Sequence, residues 1–195
     1  MNKLLYKRLE IANGAVVFAI ASLLHFFYDI TGKSVLGALF GAVNESVWEH
    51  LKIFSLAYLG WAIIELLWAR PPLRQFVWGK ALGVYALCVG IAAFFYLYTP
   101  LTGKPILPLD LLSGLGFSFL AGFISYKITT MNENRGQNFY TGLMMISLLL
   151  VMILCFTFYP PKSPIFKDNV TGLYGIIPEH ADTGDIKLDA IHNTL

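Results

Sequence analysis

Charged residues are scarce in this sequence. Only 13% of the 195 residues are Asp, Glu, Lys or Arg, whereas 56% are hydrophobic. A soluble domain usually carries about 25% charged residues, so this composition excludes an ordinary soluble enzyme. The formal net charge of +2 is too small and too dispersed to indicate nucleic-acid binding. The two cysteines lie in apolar runs and cannot build a disulfide framework. The sequence therefore predicts a multi-pass membrane protein whose main partner is the lipid bilayer.

Several familiar catalytic motifs are also missing from the chain. There is no His-Glu-x-x-His zinc-protease signature and no Gly-x-Ser-x-Gly nucleophile motif. No internal repeat is evident, which disfavours an inverted-repeat transporter. The motifs therefore favour neither a covalent hydrolase nor a known zinc protease, and whether the protein is an enzyme stays open.

Five apolar stretches are long enough to cross a bilayer, which takes about 20 residues. They are residues 11–28, 47–68, 76–98, 109–126 and 139–159. A backbone in lipid must satisfy its own hydrogen bonds, so each stretch predicts a helix. The fold class is thus all-α, a polytopic bundle of five transmembrane helices, to which the shorter apolar piece 34–43 adds an interfacial or re-entrant segment.

Two local patterns refine this bundle. A break near Asn44 is expected before the second span, because Asn is a good N-cap and Ser46-x-x-Glu49 also has capping-box spacing. In the fourth span Gly114, Ser118 and Gly122 recur every four residues, which predicts close packing of two helices.

Lys and Arg fall mainly on one side of the predicted bundle, and such residues mark the cytoplasmic side. With the amino terminus inside, that side collects Lys3, Lys7, Arg8, Arg70, Arg74, Lys80, Lys127 and Arg135. We expect the first helix to be retained rather than cleaved as a signal peptide. Five crossings then place the carboxyl tail outside. We divide the chain into the bundle (1–159), an ordered outer strap or lid (160–178, the strap) and a mobile tail (179–195).

Burying an ionisable side chain at membrane depth costs free energy, so such a residue is expected to have a partner or a function. Most of those in this chain gather at the predicted outer side, whereas nothing similar is expected at the inner side, where Glu65 has Arg70 and Lys80 as candidate partners. His25 and Asp29 are four residues apart on one helix face. Helical spacing places Glu45, Glu49 and Lys52 on one stripe of the second span, and Ser46 and His50 on the adjacent one.

These residues predict an outward-facing pocket rich in carboxylates and imidazoles. Such a mixture suits a divalent cation such as zinc, manganese or iron, and equally proton relay or capture of a small cationic or polar solute. The predicted metal ligands are His25, Asp29, Glu45, Glu49 and His50. The further predicted ligand-binding residues are Asn44, Ser46, Lys52 and Asp110.

Three functions are compatible with this pocket. The first is binding of a divalent metal or small cationic solute for uptake or sensing. The second is a metal-dependent membrane hydrolase or transferase acting on a lipid or envelope substrate, with Glu49 or Glu45 as general base. The third is a structural subunit, in which Glu49 and Lys52 neutralise each other, Asp29 is solvated and His25 is a core residue.

Four segments of the chain resemble a family of small uncharacterised bacterial membrane proteins, known as a domain of unknown function. The first two are His25-x-x-Tyr28-Asp29 and the string from Asn44 to Lys52, Asn-Glu-Ser-Val-Trp-Glu-His-Leu-Lys. The others are Tyr159-Pro160-Pro161 and Phe166-x-Asp168-x-x-Thr171-Gly172-x-Tyr174-Gly175-Ile176. The resemblance covers nearly the whole chain up to Pro178. It implies the bacterial cytoplasmic membrane and a single-unit fold, and it supplies no reaction.

Overall fold

The computed structural model describes residues 1–131 and 136–177, without the side chains of 136 and 137. Five of its helices are long and apolar enough to cross a membrane. They are α1 (Lys3–His25), α4 (Val47–Ala69), α5 (Leu73–Thr102), α6 (Leu107–Thr130) and α7 (Gly136–Phe158). The predicted all-α membrane bundle with five spans is therefore confirmed. Arg135 and the predicted mobile tail lie outside the described residues.

The first span begins and ends earlier than the apolar run indicates. Helix α1 starts at Lys3, because the Asn2 side chain caps it by accepting a hydrogen bond from the Leu5 amide at 3.0 Å. It ends at His25, and a four-residue helix, α2 (Phe27–Ile30), follows. The first long helix therefore ends three residues before Tyr28, the predicted end of the span.

The short apolar piece 34–43 forms one brief helix, α3 (Val35–Phe40). Ser34 caps it by accepting a hydrogen bond from the Gly37 amide at 3.0 Å. This helix is far too short to cross a bilayer, as was predicted from the ten-residue length of the apolar piece. It contacts α2, α4 and α7 at one end of the bundle.

Helices α1 and α4 run antiparallel over their whole length. The Asn2 amide donates to the Ala69 carbonyl at 3.1 Å, and the Trp61 indole donates to the Leu9 carbonyl at 3.3 Å. Where α1 ends and α4 begins, the rings of His25 and His50 lie 5.3 Å apart. We call this end of the bundle the His25 end and the opposite one the Glu10 end.

Small residues allow α6 to approach its neighbours closely. A Cβ atom at Gly122 would lie 2.7 Å from the Glu10 carbonyl oxygen of α1, and one at Gly114 would lie 2.4 Å from the Phe54 ring of α4. Ser118, between them, is fully buried. The close packing predicted from this stripe is confirmed, and it brings α6 against the part of α1 that carries Glu10.

The strap docks on the bundle through an aromatic cluster. Its short 3₁₀ helix, Pro164–Phe166, buries the Phe166 ring. That ring lies 5.0 Å from the ring of Trp48 on α4 and 5.2 Å from the ring of Phe156 on α7. Aromatic pairs at such distances are favourable, so the strap is fixed beside the start of α4 at the His25 end.

Candidate functional site

The start of α4 is built by a cap that leaves Glu45 outside the helix. Ser46 is the N-cap residue, and its hydroxyl accepts a hydrogen bond from the Glu49 amide at 3.3 Å. The Asn44 side chain accepts from the Ser46 amide at 2.9 Å and donates to the Gly175 carbonyl of the strap at 2.8 Å. The predicted break near Asn44 is thus present, with Ser46 rather than Asn44 as the cap.

Glu45 therefore does not share a helical stripe with Glu49 and Lys52, and that expectation is wrong. Residue 45 precedes the N-cap, so its side chain is not governed by helical spacing. It turns instead to the two histidines. Glu45 Oε1 lies 3.6 Å from His25 Nε2, and Glu45 Oε2 lies 3.6 Å from His50 Nε2.

His25, Glu45 and His50 form a compact group, which we call the triad. One ligand atom from each can be chosen so that all three lie within 4.8 Å of one another. Ligand atoms that share one ion at bonds of roughly 2.0–2.2 Å are about 3.3–3.6 Å apart in a tetrahedral site and at most about 4.4 Å apart. The Glu45–His contacts of 3.6 Å are within this range, and small rotations of the side chains would bring all three ligand atoms to one ion. The three side chains are 30%, 33% and 32% exposed, so the triad is also partly open to the surroundings.

The hydrogen bond of His50 orients its ring. His50 Nδ1 lies 2.8 Å from the Ser46 carbonyl oxygen, one helical turn earlier. A carbonyl can only accept, so Nδ1 carries the proton and donates. In neutral imidazole this leaves the Nε2 lone pair directed toward Glu45, and metal-binding histidines are commonly oriented by such a bond.

The strap holds the backbone of Glu45 from both sides. The Glu45 amide donates to Asp168 Oδ1 at 2.9 Å, and the Asn169 side chain donates to the Glu45 carbonyl at 2.8 Å. Asp168 is buried and is itself fixed by Thr171, whose amide donates to Asp168 Oδ2 at 2.8 Å. Asp168 was not among the predicted site residues, although the turn-forming Asp168-x-x-Thr171-Gly172 pattern is a visible signal for such a bend.

The triad lies at the wall of a cavity of about 420 Å³. Asp110, at the start of α6, lines the same cavity. Its Oδ1 accepts a hydrogen bond from the Tyr98 hydroxyl at 2.6 Å. The remaining wall is mainly apolar and includes Phe18, Ile53, Phe54, Ile91, Phe95, Leu107 and Leu111. The site thus combines a few polar groups with an apolar chamber, which is usual for small-molecule pockets.

The sequence comparison places this architecture in a family. Residues 2–176 match a family described as a family of unknown function, DUF6512. The chain belongs to this family. No curated protein and no solved structure matches the chain significantly. The family-level resemblance is therefore supported, and the function has to be argued from the site itself.

In this DUF6512 protein three predicted site residues lie apart from the triad. Asp29 is exposed on α2. His25 ends α1 and Asp29 lies on the separate short helix α2, and Asp29 is close enough to interact electrostatically with His25. Glu49 and Lys52 are buried and pair with each other at 2.6 Å, and neither lines the cavity.

The Glu49–Lys52 pair fastens α3 and α7 to α4. Glu49 Oε2 accepts a hydrogen bond from the Val43 amide at 2.9 Å. Lys52 Nζ donates to the Ala38 carbonyl at 2.8 Å and to the Thr157 hydroxyl at 3.3 Å. With its donors and acceptors engaged in this way, the pair stabilises the fold beneath the triad.

The Glu10 end of this DUF6512 protein corrects a further expectation. No cluster of ionisable residues like the one at the outer side was expected there. In the structure Glu10, Glu65 and Lys80 meet at this end, and all three are at most 4% exposed. Of the two candidate partners of Glu65, Lys80 is the one in contact. The sequence does not indicate that Glu10 is buried, because the predicted first span begins at Ile11 and leaves Glu10 just outside the membrane. In the structure it lies well inside α1 and faces α6.

Proposed function

We propose that this protein binds a divalent transition-metal ion at His25, Glu45 and His50, for uptake or sensing of that ion. The observation that carries the proposal is the convergence of the three ligand atoms within 4.8 Å. Two imidazoles and one carboxylate form a ligand set typical of zinc and of non-haem iron, and manganese also accepts it. A small organic cation could use the carboxylate but gains nothing from the two imidazoles, of which His50 is oriented by its hydrogen bond to the Ser46 carbonyl.

The partial exposure of the triad and the adjoining cavity support exchange of the ion. A structural zinc site is normally closed by four protein ligands, whereas a site with three keeps a position for water or substrate. Within the described residues the triad supplies three ligands. Such a site suits an ion that enters and leaves, as uptake and sensing both require.

Metal binding is tested on the purified full-length protein in detergent, with Zn²⁺ titrated calorimetrically and Co²⁺ followed by its ligand-field spectrum. We expect about one ion per chain, and we expect Glu45→Gln and His50→Ala each to abolish the high-affinity phase. Asp29→Asn is the matched control, since it removes a nearby exposed carboxylate outside the triad. Absence of binding to the unmodified protein, or equal losses in Asp29→Asn and Glu45→Gln, would contradict the proposal.

A second function, a metal-dependent membrane hydrolase or transferase, is favoured by the cavity. A metal-bound water at the triad could act as nucleophile, and the apolar wall would suit the chain of a lipid substrate. Of the two expected bases, Glu49 pairs with Lys52 and Glu45 belongs to the triad, whereas Asp110 lines the cavity, so we propose Asp110 as the base. Turnover of a lipid ester or phosphoester by the zinc-loaded protein, lost in Asp110→Asn while zinc binding persists, would support this function.

We also propose that the triad faces outward from a bacterial cytoplasmic membrane, with the amino terminus inside. The basic residues support this orientation, since Arg70 and Arg74 flank the junction of α4 and α5 at the Glu10 end. The strap then acts outside as a lid, because its Asn169 and Val170 line the cavity. Labelling of single cysteines at Lys3 and Lys162 in intact cells tests the orientation, and only the latter should react.

A further inference from the structure

The buried charges at the Glu10 end do not balance if all of them are ionised. Glu10 from α1 and Glu65 from α4 both contact the same ammonium group, Lys80 Nζ of α5, at 3.0 Å for Glu10 and by a short ion pair for Glu65. Two carboxylates and one ammonium leave one negative charge. An uncompensated buried charge is very costly, and a carboxyl group in that situation takes up a proton instead.

The elements packed around the cluster contribute neutral groups rather than a second compensating cation. Tyr6 approaches from α1, Tyr58 from α4 and Ser125 from α6. The Lys80 Nζ atom lies 4.9 Å from the centre of the Tyr58 ring and 5.5 Å from that of Phe76. These groups are neutral at pH 7, so among the described residues Lys80 is the only cation in contact with the two carboxyl groups.

The hydrogen bonds distinguish the two carboxyl groups. Glu10 Oε1 accepts from the Tyr6 hydroxyl and, at 2.7 Å, from the Ser125 hydroxyl, in addition to its contact with Lys80. Donors of this kind stabilise the ionised form. Glu65 receives no such hydroxyl donor from the described residues, and its contacts in the cluster are the ion pair with Lys80 and the neighbouring Glu10 carboxyl group. These contacts therefore favour the ionised form of Glu10 and the protonated form of Glu65.

Unpartnered oxygens give an independent indication that something is bound here. Glu10 Oε2 and Glu65 Oε1 are buried and have no hydrogen-bond partner. One turn further along α1, the fully buried Asn13 also has an unpartnered Oδ1, while its Nδ2 donates to the Ser118 carbonyl at 2.7 Å. Glu65 Oε2 and Lys80 Nζ also make no hydrogen bond of regular geometry, although they form an ion pair. Buried polar groups are normally satisfied, and a proton on one carboxyl group would supply an additional donor to this group of oxygens.

We infer that Glu10, Glu65 and Lys80 form a proton-binding site that holds one proton per chain on the Glu10–Glu65 pair at neutral pH, mainly on Glu65. The site is separate from the triad and does not depend on metal binding. Both sites are carried by the same two helices, and 15 residues separate Glu10 from His25 on α1 and His50 from Glu65 on α4. At 1.5 Å per residue, that spacing is about 22 Å.

Infrared spectroscopy of the full-length protein in lipid vesicles, at neutral pH and in sodium-free potassium buffer, tests this site. We expect one C=O stretching band of a protonated carboxylic acid, shifted in D₂O. Both Glu65→Gln and Glu10→Gln should remove it, because each leaves a single carboxylate paired with Lys80. Glu49→Gln, at the other buried glutamate–lysine pair, should keep the band, and Glu45→Gln serves as a second control should Glu49→Gln not fold.

The outcomes separate the proton from other occupants. A band that persists in both Glu65→Gln and Glu10→Gln, or no band in the unmodified protein, would overturn the inference. A band that is present in potassium buffer and disappears when Na⁺ is added would show that the site prefers a monovalent metal cation. If Glu10→Gln fails to fold, Glu65→Gln decides alone, since it preserves the Glu10 contacts with Tyr6, Ser125 and Lys80.

Discussion

The buried glutamate–lysine groups at the two ends of the bundle differ in their number of charges. At the His25 end one carboxylate, Glu49, pairs with one ammonium, Lys52, and backbone groups satisfy both. At the Glu10 end two carboxyl groups share the single ammonium of Lys80. The Glu49–Lys52 pair is neutral and stabilises the fold, whereas the group of Glu10, Glu65 and Lys80 is neutral only when one carboxyl group is protonated. Buried pairs in one protein can therefore have different roles, and the count of charges distinguishes them.

The largest effect should come from removing the shared cation. Lys80→Met leaves two carboxyl groups without a counter-charge, and breaking a buried ion pair costs about 3–5 kcal/mol. We expect a loss of unfolding free energy of about that size in detergent, measured by denaturant titration. Lys127→Met, an exposed lysine near the same end, is the control and should change stability by about 0.5 kcal/mol or less. Equal stability of the two variants would show that Lys80 does not compensate buried charge.

The amide substitution of glutamate separates the two ends directly. Glu49→Gln leaves Lys52 as an unpaired buried cation, so about 3–5 kcal/mol of stability should be lost. Glu65→Gln leaves the Glu10–Lys80 pair intact, so we expect a cost of about 1 kcal/mol or less. Thermal and denaturant unfolding of both variants at neutral pH measures the difference. If Glu65→Gln were as costly as Glu49→Gln, Glu65 would be ionised and the charge count above would be incorrect.

The contrast between the ends also shows what could be predicted from the sequence. The five spans and the short segment before Asn44 follow from the lengths of apolar runs, which lipid dictates directly. The pairing of Glu45 with two histidines does not follow, because residue 45 lies in a bend outside helical periodicity. Its position is set by strap residues more than 120 positions away in the chain.

The Glu10 end was missed for a related reason. Hydropathy assigns a charged residue at the edge of an apolar run to water, and Glu10 stands at such an edge. Helix α1 begins at Lys3, however, and Gly122 lets α6 approach the Glu10 backbone. Tertiary contacts thus buried a glutamate that no local pattern marks as buried.

Metal affinity should depend on the strap as well as on the triad. Asp168→Ala removes the acceptor of the Glu45 amide, so the carboxylate of Glu45 loses its fixed position. Loss of such a supporting contact typically weakens metal binding by about 10–100-fold, and we expect a change of this size in the Zn²⁺ dissociation constant. Val170→Ala, in the same bend and lining the same cavity, should leave that constant nearly unchanged. Equal effects of the two substitutions would indicate that the strap only covers the cavity.

The smallest expected effect tests whether the Glu49–Lys52 pair is as complete as its contacts indicate. Thr157→Val keeps the shape of the side chain but removes the hydroxyl that accepts a hydrogen bond from Lys52 at 3.3 Å. Because Lys52 retains Glu49 and the Ala38 carbonyl, we expect a loss of about 0.5–1.5 kcal/mol in unfolding free energy. Thr157→Ser loses the methyl group but keeps the hydroxyl with its bonds to Lys52 and to the Ile153 carbonyl, so a smaller loss in this variant would assign the effect of Thr157→Val to the hydroxyl. A loss in Thr157→Val as large as that in Glu49→Gln would mean that Lys52 depends on α7 for its charge balance, and the two ends would then differ less than their contacts imply.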